Sequence, residues 1–101
     1  MVPDVVPYEV SELSFKKKHE KLKNNKRTSK YGDLVWLAEH CGFILDRQNS
    51  SHAIYKNDLY KCEVSFVKHS DGNAKEYNVI WLLDFIDEHD LHKRGEEESE
   101  E

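Results

Sequence analysis

The chain has 101 residues, 38% of them hydrophobic and 35% charged, with a net charge of −5. That length gives one small domain with a thin stability margin, and no apolar run approaches the roughly 20 residues of a membrane helix. The N-terminus lacks the basic start and apolar centre of a secretory signal, and two cysteines are too few for a disulfide framework, so a cytoplasmic protein is expected.

In chain order, residues 1–10 hold both prolines and no sustained period, and they read as an extended arm. From about Ser11 to Asn24 the composition favours a helix, with only Leu13, Phe15 and Leu22 available for an apolar stripe. The charge is segregated here. Residues 16–30 carry Lys16, Lys17, Lys18, Lys21, Lys23, Lys26, Arg27 and Lys30 against the single acid Glu20. The chain ends on Glu96-Glu-Glu-Ser-Glu-Glu101, and without that tail acids and bases balance at 15 each. A basic block on a neutral body suits a phosphate backbone, and equally suits a solvated helix face.

The compact domain is expected from Ser29. Ser29 suits the cap of a helix whose apolar positions, Leu34, Leu37, Ala38 and Cys41, recur at three and four residues. Gly42 then stands where a left-handed residue ends the helix. Phe43–Gln48 reads as a strand, Asn49-Ser50-Ser51 as a turn, and His52–Lys56 as a second strand. Asn57-Asp58 makes a second turn. Tyr60–Val67 alternates, with Tyr60, Cys62, Val64 and Phe66 on one face. Ser70-Asp-Gly-Asn73 marks a loop, Asn73 and Glu76 have capping-box spacing, and Val79, Ile80, Leu82, Leu83 and Ile86 predict a closing helix that fades near Leu91. The division is thus 1–28, an arm and basic helix; 29–93, the domain; and 94–101, an acidic disordered tail. The order helix, three strands, helix with short connections predicts a two-layer α+β domain, its helices covering one face of an antiparallel sheet. The other face is left for a ligand.

No glycine-rich phosphate loop, nucleotide fingerprint or zinc pattern is present, and His89 and His92 lack an obvious third metal ligand. A different pattern is more specific. Gly42-Phe-Ile-Leu-Asp-Arg-Gln-Asn-Ser-Ser-His-Ala-Ile-Tyr55 resembles the HicA family's run of glycine, aromatic, strand, Gly-Ser-His and apolar strand. Val64-Ser-Phe-Val-Lys-His-Ser-Asp-Gly-Asn-Ala-Lys-Glu-Tyr-Asn-Val79 resembles that family's strand, Asp-Gly-x-Ala-Lys-x-Tyr and closing helix. The resemblance covers about residues 30–91. It implies a double-stranded-RNA-binding-domain-like fold with an extra N-terminal helix, and an endoribonuclease toxin (an mRNA interferase) neutralised by a HicB-type antitoxin. The family's essential histidine corresponds to His52 and its preceding serine to Ser51, while Ser50 stands where the family usually has glycine. Either Ser50 adopts the left-handed conformation reluctantly, or Asn49 supplies it instead.

The residues suit that chemistry without metal or cofactor. Ribose carries its own 2′-hydroxyl nucleophile, and a histidine transfers protons near neutral pH. A cation beside the phosphate stabilises the charge of attack. Arg47, Lys56 and Lys68 are the candidates, with His69 as a second proton carrier. The competing expectation is a non-catalytic module of the same fold that binds RNA or protein.

Overall fold

The computed structural model describes the backbone of residues 7–91 and side chains from Phe15 onward. The start of the N-terminal arm, the Leu13 side chain, His92 and the acidic tail lie outside the described residues. The elements are α1 (Pro7–Asn24), α2 (Tyr31–Glu39), β1 (Ile44–Asn49), β2 (His52–Asn57), β3 (Cys62–Val67) and α3 (Glu76–Glu88). They make a small α+β domain whose three strands form one antiparallel sheet in the order β1-β2-β3.

Residues 7–10 belong to α1 rather than to an extended arm. Proline is tolerated in a first helical turn because no helix carbonyl precedes it to bond an N–H. The polar helix is anchored through its second half. Leu22 is fully buried in the core and His19 nearly so, while Phe15 packs against the core at its margin. Lys18 and Lys21 reach Asp33 of α2 at 3.2 and 3.1 Å.

The first backbone donor of α2 is satisfied by a loop, not by the expected serine cap. The Ser29 hydroxyl donates to the Asn25 carbonyl at 2.7 Å, and Lys30 occupies the cap position without a side-chain bond. The Tyr31 N–H donates instead to the Gly72 carbonyl at 3.0 Å. At the other end Gly42 has φ 101°. The Gly42 N–H donates to the Glu39 carbonyl and the Phe43 N–H to the Ala38 carbonyl, the paired bonds of a Schellman ending.

Leu34, Leu37, Ala38 and Cys41 are buried, as their spacing predicts. They meet Ala53, Tyr55 and Phe66 of the sheet and Val79, Leu82, Leu83 and Ile86 of α3 in one core. Two expectations for α3 need correction. Ile80 is 40% exposed, and Asn78 and Phe85 are buried in the stripe where it was expected. Lys75, not Asn73, precedes the helix, and no side chain caps it. The Asn73 N–H is turned onto the Asp71 carboxylate at 2.9 Å.

Two buried asparagines fasten the layers. Asn57 donates to the Cys41 carbonyl at 2.9 Å and accepts from the Leu59 and Tyr60 N–H groups. Asn78 accepts from the Val67 N–H at 2.9 Å and donates to the Ser65 carbonyl at 3.0 Å. Its amide thereby does for the outer edge of β3 what a neighbouring strand would do, which closes that edge to further pairing. All six residues of β1, at the opposite edge, are exposed. No described helix is long and apolar enough to cross a membrane.

Candidate active site on the open sheet face

Antiparallel register decides which side chains share a face. Ala53 pairs with Phe66 and Tyr55 with Val64, and the buried members of these pairs mark the helix-covered face. The alternate residues form three rows on the other face. The first is Asn49, His52 and Val67; the second Arg47, Ile54 and Ser65; the third Ile44, Lys56 and Glu63.

His52 is exposed at the start of β2, directly after the two-residue turn Ser50-Ser51. Ser50 has φ 60°, whereas Asn49 is extended in β1. The left-handed position of the turn therefore falls on Ser50, the first of the two alternatives that the sequence left open. A non-glycine residue there carries a strain on the order of 1 kcal/mol.

Arg47 reaches this face by alternation, two residues before Asn49 and opposite Ile54. The ladder shifts between Leu45 and Arg47, leaving Asp46 as an extra residue. Carried on regularly from the turn, the ladder would set Leu45 opposite Lys56 on the open face, and the bulge sets it opposite Tyr55 instead. The extra residue, Asp46, stands beside Arg47, and the two form an ion pair. The Arg47 Cα lies one strand over and two residues along from His52, about 8 Å away, within reach of a shared phosphate.

The remaining candidates are distributed differently. Lys56 shares the face but sits four residues along β2, about 13 Å from His52, in a row with Glu63. Lys68 follows Val67, bridges to Ala74 and lays its ammonium 5.6 Å from the Tyr31 ring centroid, on the helix side. His69 comes next, exposed, with its N–H bonded to the Asn73 carbonyl at 2.8 Å. The structure thus brings Ser51, His52 and Arg47 together with His69 at the same end, and sets Lys56 and the Lys68 side chain apart. Sequence reasoning missed Asn49, which directly faces His52; the two-residue turn would have placed it there. Among the described residues, no three His, Cys, Asp or Glu side chains group as a metal site.

Comparison with protein-family models, with curated proteins and with solved structures finds no match.

Proposed function

We propose that this chain is an endoribonuclease of the HicA type, its domain built on the double-stranded-RNA-binding plan with α1 added. The observation that carries the reading is the Ser50-Ser51-His52 turn. Its left-handed residue occupies the resembling family's glycine position, and it delivers an exposed histidine to the open face beside Arg47.

In the proposed reaction His52 takes the proton of a ribose 2′-hydroxyl. The 2′-oxygen attacks the adjacent phosphorus, the bond from phosphorus to the 5′-oxygen breaks, and that oxygen receives a proton. His69 is the candidate donor. Arg47 holds the phosphate and offsets the charge that grows on it during attack. The substrate is messenger RNA in the cytoplasm, and a HicB-type antitoxin protein covers the face to silence it.

One observation favours a second reading, a binding module without catalysis. Among the described residues no hydrogen bond orients the His52 ring, and a proton-transferring histidine is ordinarily held by a partner. Product analysis separates the readings. Incubation of single-stranded RNA with the full chain, with and without EDTA, is expected to yield fragments ending in 2′,3′-cyclic phosphate and 5′-hydroxyl in both cases. RNA that is bound by the folded protein and stays intact assigns the face to binding alone.

A further inference from the structure

The basic residues around the α1–α2 junction divide into two groups. Lys18 and Lys21 are tied to Asp33, and the Lys18 ammonium also lies 5.6 Å from the Trp36 ring centroid. Lys23, Lys26 and Arg27 are exposed instead. With Asn25, Thr28 and Glu76 they line an open concavity of about 390 Å³ between the α1–α2 loop and the start of α3. The carboxylate there, Glu76, lies 3.9 Å from Arg27, with the Arg27 side chain largely solvated and that of Glu76 half so. A pair so long and exposed holds Arg27 weakly and yields to a phosphate.

The fold brings this concavity to the His52 end of the sheet. His52 pairs with Val67, the next residue Lys68 bridges to Ala74, and Asn73 bridges to Lys30. The Ala74 N–H donates to the Ser29 carbonyl at 2.8 Å, fixing the loop's end against the sheet. Three strand spacings of about 5 Å separate His52 from Lys30, roughly 15 Å in all, and Arg27 stands three residues before Lys30 in the same loop.

We infer that Lys23, Lys26 and Arg27 form a second contact for the sugar-phosphate backbone of the strand that His52 meets, so that RNA is held at two points along one end of the domain. This rests on the reading of the His52 face as an RNA site. Exposed ammonium groups act on phosphates as point charges and read no base. A strand too short to span both points engages the His52 face alone.

The test is equilibrium binding of end-labelled single-stranded RNAs of about 4 and about 12 nucleotides to the full chain carrying His52→Ala, with and without Lys23→Gln, Lys26→Gln and Arg27→Gln, across a salt series. Circular dichroism verifies the fold of each variant. The triple substitution is expected to weaken the longer RNA about tenfold at low salt and to lower its salt slope by about 2, at roughly 0.7 per phosphate contact. Affinity for the shorter RNA stays unchanged, and DNA of the longer sequence loses a similar factor. Unchanged affinity and slope for the longer RNA, or equal losses at both lengths, overturn the second contact and leave the His52 face standing. Failure of the unsubstituted loop to bind either RNA overturns both.

Discussion

Arg47 stands on the same face of the sheet as His52, one strand over and two residues along, with the bulge of β1 at Asp46 directly beside it. The same bulge sets the Asp46 carboxylate against the Arg47 guanidinium, so the cation nearest the proposed site is partly neutralised. Replacing Asp46 by Asn releases it. RNA affinity is expected to rise several-fold at low salt, as when a partly screened cation is freed for a phosphate. Binding titrations of the variant beside the parent measure this, and lower affinity would show that Asp46 is needed to aim Arg47.

Ser50 in the left-handed region leads to a second expectation. Glycine at that position removes the strain of a Cβ at φ 60°, on the order of 1 kcal/mol, and gives back about half of that through a freer unfolded chain. Ser50→Gly is therefore expected to raise the thermal midpoint slightly. A lower midpoint would mean that the serine holds the turn by other means.

Asn57 is 1% exposed and satisfies a carbonyl and two N–H groups from different segments. Its amide also lies where a Cβ on Gly42 would press, 3.3 Å from Nδ2. Asn57→Ala leaves those backbone groups without their partner, and a loss of about 2–4 kcal/mol is expected in denaturant unfolding. A loss below about 1 kcal/mol would mean that water replaces the amide.

Asp33 gives the fold a pH dependence. Burial pushes its carboxyl up, but the hydrogen bonds and charges of Lys21 and Lys18 outweigh this and hold it below the ordinary carboxylate range. A carboxyl lowered by folding contributes stability above its unfolded pKa, and that contribution disappears as pH falls through the folded value. Asp33→Asn is expected to melt lower than the parent at pH 7, by an amount on the order of 1 kcal/mol. The gap closes as pH falls below about 4. A gap independent of pH would assign the effect to shape rather than charge.

Much of the architecture was legible because periodicity reports burial. The spacing of Leu34, Leu37, Ala38 and Cys41 gave the inner face of α2, and Gly42 its end. What escaped was settled by partners distant in sequence. The Gly72 carbonyl took the role expected of Ser29 at the head of α2. Asn78 is buried because the edge of β3 needs its amide, a requirement invisible in α3 alone. At the site, His52 was readable from local pattern, while Asn49 escaped because the turn has two residues rather than three, which returns Asn49 to β1 opposite His52. The side of the sheet taken by Leu45 was not readable, because one extra residue in β1 reverses it. Nor did the run of lysines reveal that Asp33 engages two of them.

The most direct test is the rate of RNA cleavage by the full chain beside His52→Gln, in EDTA, with the folds matched by circular dichroism. A glutamine keeps polar atoms on the exposed position but carries no transferable proton near neutral pH. The expected result is a rate lower by about 10²–10⁴-fold with RNA affinity nearly unchanged. Cleavage by the folded His52→Gln protein at the parent rate would contradict the assignment of His52 as the catalytic residue.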